Sequence, residues 1–174
     1  TIGTGVWEGT AVATDQQKHL AYFVFNGYGT GDGTNYEIPL AMTDNQSPFE
    51  HDTSTGSDGL TAQTVNTFMR NGGRTMPRAG TLKKWVGWAT TAGSSTANIA
   101  LFRVRPTRND STNLTPVLLD NVAYTALGNA KMEDFDETSF TDADIAAGDI
   151  LYTAIKCENN KTTYFSSTLE IEWD

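Results

Sequence analysis

The sequence predicts an all-β protein, an antiparallel jelly-roll sandwich, and three observations carry that reading. Short apolar runs recur with period-2 alternation, Gly-, Thr-, Asn-, Ser- and Asp-rich stretches separate them, and no long run of Ala, Leu, Glu and Lys is present. Alternation sends successive side chains to opposite faces of a strand, so one face can be buried while the other stays wet. The Gly, Asn and Asp clusters between runs supply the turns that join such strands. A length of 174 residues suits one domain with a sizeable core.

Residues 1–75 read differently from the rest and are expected to be an N-terminal arm or extended region, packing on or beyond the sandwich. They hold one clear apolar run, Leu20 to Phe25, followed by Gly27, Gly29, Gly31 and Gly33. These glycines follow a strand, as a dinucleotide fingerprint would, but no apolar helix follows them, and they read as a flexible turn or hinge. Tyr36 to Met42 contains Pro39, which points to an edge strand or an extended arm. Asn45 to Gly59 is polar and reads as an exposed loop.

Residues 76–174 are expected to be the jelly-roll domain. Thr81 to Thr90 carries Leu82, Val86 and Trp88 on one face and Trp85 on the other. This makes Trp88 a core residue and Trp85 the candidate surface aromatic. Ala100, Phe102 and Val104 share one side of a run that ends at Pro106, and Pro116 introduces Val117 to Leu127. Leu151, Ile155 and Cys157 fall together on the next strand, with Cys157 a small buried hydrophobe. Ile150 and Tyr152 put apolar groups on its other face as well, and so are candidates for an oligomer interface. The cleanest alternation is the last, Phe165, Leu169, Ile171 and Trp173 against Thr168, Glu170 and Glu172. Between these strands, Thr141 as a cap, Asp144 three residues on and Gly148 after it predict one helical turn near 141–147.

Composition excludes several functions. Twelve basic against 21 acidic residues, a net charge of −9, leaves no basic face to displace counterions, so no nucleic acid is expected. No apolar stretch nears the roughly 20 residues that span a bilayer, so no membrane partner is expected. A single cysteine forbids an internal disulfide. No signal peptide opens the sequence, so synthesis in a cytoplasm is expected, and the Asn-x-Ser/Thr triplets at Asn45, Asn109, Asn113 and Asn160 are read as compositional.

No catalytic residue, cofactor or metal is expected. Glu133, Asp134, Asp136 and Glu137 could supply paired carboxylates only if they faced one another across a cleft. Crowded around Phe135, they read instead as a solvated loop. Asp142 and Asp144 do not match EF-hand spacing. His19 and His51 lack cysteine partners at zinc-ligand spacing and read as surface residues. No Gly-x-Ser-x-Gly nucleophile elbow is present.

Met76-Pro-Arg-Ala-Gly-Thr-Leu-Lys-Lys-Trp-Val-Gly-Trp88 and Phe140-Thr-Asp-Ala-Asp-Ile-Ala-Ala-Gly-Asp-Ile-Leu-Tyr152 add a resemblance. Over residues 76–174 the chain resembles TNF-like jelly-roll domains of tailed-bacteriophage virion proteins, particularly those of cyanophages. The resemblance implies a non-enzymatic structural role, a homotrimer, and head decoration (cement) on the major capsid protein at the virion surface. The alternative it implies is a fibre or tail module that binds a receptor or a host surface glycan. No shaft-like repeat precedes the jelly roll, which favours cement.

Overall fold

The computed structural model describes residues 19–31, 33–34, 36–38, 49–51, 73–108, 114–158 and 160–174. Two antiparallel sheets face each other. The first takes the order β1 (His19–Thr30), β11 (Thr162–Trp173), β5 (Gly80–Ala92), β8 (Glu133–Glu137), with β9 (Asp144–Ile145) also on β5. The second runs β3 (Phe49–His51), β2 (Tyr36–Ile38), β10 (Ile150–Cys157), β6 (Ser95–Val104), β7 (Val117–Leu127), with β4 (Arg74–Thr75) also on β10. The pairings are nested: β6 with β7, β5 with β8, β2 with β10, and β1 with β11. One long antiparallel hairpin rolled into two layers produces that order, which is the jelly roll.

The sandwich begins earlier than residue 76. All twelve residues of β1 pair with β11, and Phe25 enters the core, so the expected boundary at 75/76 cuts through the sheets. Both β1 and β2 are therefore part of the sandwich. Residues 1–18, where the expected arm would start, lie outside the described residues. β2 stops before Pro39, whose missing N–H cannot continue a ladder. The expected loop at 45–59 contains β3, paired with β2, and its other residues lie outside the described set. Nor do the glycines form a free hinge. Gly27 and Gly29 lie within β1, and beyond it the backbone is tied down by Gly31 N–H to Lys161 O (2.8 Å) and Asn160 N–H to Gly31 O (2.9 Å). A Cβ on Gly31 would stand 2.1 Å from the Cys157 carbonyl oxygen, so only glycine lets β1 leave its sheet at this point.

Between the sheets lies the main core, which includes Phe25, Leu82, Trp85, Ile99, Leu101, Leu119, Leu151, Ile155, Phe165, Leu169 and Ile171. Burial of each large apolar side chain contributes about 1.5–3 kcal/mol relative to exposure. A second cluster occupies the opposite face of β6 and β10: Ala100, Phe102, Val104, Ile150, Tyr152 and Ala154, joined by Tyr36 and Leu114. Phe102 stacks on Tyr152 at 5.5 Å and meets Tyr36 edge-on at 5.7 Å. These two strands are thus apolar on both sides because both sides are covered.

The expected helical turn at 141–147 does not form. Asp142 Oδ1 accepts the Asp144 N–H (3.1 Å) and Asp149 Oδ2 accepts the Ala146 N–H (2.8 Å), while β9 pairs with Gly80 and Thr81. Side-chain carboxylates satisfy the backbone donors that a helix would have used. Gly148, at φ +89°, closes the turn in the left-handed region.

Candidate functional site

The two tryptophans of β5 exchange the places that simple alternation assigns them. Along the β5–β11 ladder the register steps from Lys84↔Glu170 to Leu82↔Ile171, so Lys83 is an extra residue, a β-bulge. One inserted residue moves every later side chain to the opposite face. Trp85, the expected surface aromatic, is therefore fully buried, with its ring edge-on to Phe135 at 4.8 Å. Trp88, the expected core residue, is 50% exposed. The Lys83-Lys84 doublet, which interrupts the alternation, is the signal that could have placed the bulge.

Ile150 and Tyr152 cannot be an interface for another chain, because both are buried within their own chain in the second cluster. The carboxylates expected on a loop belong instead to β8, at the end of its sheet. Phe135 points into the core, and exposed Asp134 and Asp136 point outward. Charges on such a strand discourage edge-to-edge aggregation. Cys157 is buried as expected, its thiol donating to Lys161 O at 3.2 Å. His19 is exposed on β1, while His51 is in β3. Among the described residues no group of three His, Cys, Asp or Glu side chains is placed to hold a metal ion.

The outer face of the β1–β11–β5–β8 sheet remains, and register lays it out in rows. Asn26, Ser166, Trp88 and Asp134 form one row across four strands, and Val24, Thr168, Val86 and Asp136 form the next. Along β1 this face carries Leu20, Tyr22 and Val24, which are 46%, 61% and 51% exposed. Three large apolar side chains in one line on a solvent-facing strand exceed the scattered exposure usual on a surface. At the other side, between β11, β5 and β8, lies a groove of about 340 Å³ over Gly87, rimmed by Trp88, Asp134, Asp136, Ser166 and Thr168. Lys84 Nζ holds Asp136 Oδ2 at 2.8 Å. An apolar dip of about 190 Å³, lined by Trp88, Met132 and Tyr164, adjoins it.

A charged latch ties the 141–149 segment to β6. Asp149, with no exposed side-chain surface, accepts from Arg105 Nε (2.7 Å) and Nη2 (2.8 Å). Buried Arg103 donates from Nη2 to Asp142 Oδ2 (2.6 Å) and from Nη1 to the Asp144 carbonyl. On the backbone, Met76 N–H donates to Asp149 O (2.7 Å) and Gly148 N–H to Met76 O (2.8 Å). The two sequence segments that carried the resemblance therefore meet here, in a structural joint. The hydrogen bond from Arg103 is the main cause holding the Asp142 carboxyl below its ordinary range. A depressed carboxyl contributes stability above its unfolded pKa, near 3.9, and that contribution is lost as pH falls through the folded value. The urea midpoint should drop as pH is lowered below about 4, and the Asp142→Asn variant should drop less steeply. Identical pH profiles for the two proteins would remove Asp142 from the latch.

Fold and surface together define a non-repetitive jelly-roll module with an apolar stripe at one side of a sheet and a polar-rimmed groove at the other. No family model and no curated protein matches the chain. Among solved structures it is similar to a Bacillus endospore appendage protein, from work describing a novel family of disulfide-linked pili. The identity is 9%, the alignment covers 95% of this chain and 99% of that one, and the TM-score is 0.38. A likeness of that size carries no functional argument.

Proposed function

We propose that this chain is a non-enzymatic structural protein of a virion, a head decoration (cement) protein that works by adhesion. The observation that carries this reading is the Leu20–Tyr22–Val24 stripe on β1, an apolar surface suited to contact between copies and with an assembled shell. The resemblance of 76–88 and 140–152 to phage jelly-roll proteins supplies the virion setting, with the major capsid protein as partner. A net charge of −9 is compatible with an outer capsid face that never touches DNA. The homotrimer expected at Ile150 and Tyr152 moves, in this reading, to the β1 stripe. Binding only the assembled shell stabilises that shell by mass action.

Light scattering should return about three times the 18.9 kDa chain mass, falling to the monomer for Tyr22→Asp. Particles lacking the protein should burst under milder osmotic shock, and adding the wild-type chain, but not Tyr22→Asp, should restore their resistance. A wild-type chain that is monomeric in solution and on particles would overturn the trimer. Unchanged burst resistance without the protein would overturn cement. The fibre or tail reading has its own supporting observation in the Trp88 groove; it predicts lost adsorption to host cells with capsid strength intact.

A further inference from the structure

We infer that the groove between β11, β5 and β8 is a carbohydrate site that takes a neutral hexopyranose unit of a polysaccharide. The inference is independent of the cement reading, because the groove and the β1 stripe use different residues.

The lining has the two chemistries that a sugar ring requires. Trp88 is half-exposed at the rim, although alternating strands normally keep an indole inside. An exposed indole offers a broad, rigid face at little conformational cost, onto which the C–H groups of a pyranose can stack. Asp134 lies directly across the ladder from Trp88, on the same face. Its ionised carboxylate has two acceptor oxygens for neighbouring sugar hydroxyls, bonds strengthened by the charge. Ser166, across the ladder on the other side of Trp88, and Thr168 in the next row add hydroxyls that both donate and accept. The aromatic face is thus bracketed by acceptors on β8 and by hydroxyls on β11.

Charge and size select among ligands. Asp134 and Asp136 repel phosphates, sulfates and uronates. A cationic ligand would compete with Lys84, which already sits 2.8 Å from Asp136 and adds positive charge beside the groove. The remaining polar lining is neutral, and a neutral polyol meets neither penalty. A volume of about 340 Å³ lies at the small end of ligand sites. Three adjacent strands span about 10 Å at the usual inter-strand spacing, enough for one or two sugar rings. The adjoining dip at Met132 and Tyr164 offers an apolar seat for a methyl or acetamido substituent.

Titrating the full chain with glucose, mannose and N-acetylglucosamine oligomers, a polyuronate and a lysine-rich peptide tests this by calorimetry and tryptophan fluorescence. At least one neutral oligomer should bind and perturb the emission, and Trp88→Ala should weaken that binding at least tenfold with an unchanged melting temperature. Asp134→Asn should weaken it less, because one carbonyl acceptor survives. Shell attachment by Trp88→Ala should stay at the wild-type level, which separates loss of this site from failure of the cement reading. Absence of binding to every neutral oligomer would overturn the inference. So would binding confined to the polyuronate or the peptide, or neutral-sugar binding that survives Trp88→Ala.

Discussion

Replacing Asp149 with Ala should destabilise the protein by about 3–5 kcal/mol, the cost of breaking a buried ion pair by removing one partner. The carboxylate is wholly buried and takes two hydrogen bonds from Arg105 and one from the Ala146 N–H. Its loss leaves that N–H without its acceptor and strips a countercharge from the buried guanidinium of Arg103, whose Nε stands 3.9 Å away. Arg105→Ala leaves the wholly buried Asp149 carboxylate with only the Ala146 N–H and the more distant Arg103 Nε, so it should also be strongly destabilising, although Arg105 itself is half-exposed. Asp149→Asn keeps the shape and one acceptor and should cost less than Asp149→Ala. Urea unfolding followed by fluorescence measures all three. An Asp149→Ala midpoint within error of wild type would show that the latch does not hold the 141–149 segment.

Trp85→Ala should cost about 3–5 kcal/mol, whereas Trp88→Ala, three residues along the same strand, should stay within about 0.5 kcal/mol. Trp85 fills the space between the sheets against Phe135 and leaves a large cavity when truncated, while Trp88 faces solvent. The Trp85 indole N–H is buried with no acceptor among the described residues. Trp85→Phe removes that donor and keeps most of the packing, so it should cost clearly less than Ala. The contrast tests the bulge at Lys83 directly. Equal costs at the two positions, or a larger one at Trp88, would restore uninterrupted alternation and place Trp88 inside.

Much of the sandwich was legible because alternation is a local property. Phe165, Leu169 and Ile171 take the core places their spacing implies, and Val117–Leu127 begins where Pro116 introduces it. Leu151, Ile155 and Cys157 share one face of β10, and Ile150 and Tyr152 the other, as read. The groove was not legible, because it depends on Trp88, and the face Trp88 occupies is decided at Lys83. The candidate interface failed differently. Apolar residues on both faces of β10 were correctly seen, but they indicate covering, and the sequence does not say whether the cover is the same chain or another.

By itself, then, the sequence determined most of the long strands, which positions along most of them are apolar, and that turns separate them, but not the short strands β3, β8 and β9. Those properties follow from the two-residue repeat of an extended backbone and from residues that suit turns. Tertiary structure alone decided that β1 closes against β11, that the β2 segment joins β10, and that Asp149 is a buried anchor for Arg105. It also decided which tryptophan meets water. Each of these depends on a partner far away in the chain, such as Glu170 opposite Lys84 or Arg105 beside Asp149, and pairing energy between distant residues leaves no period in the local sequence.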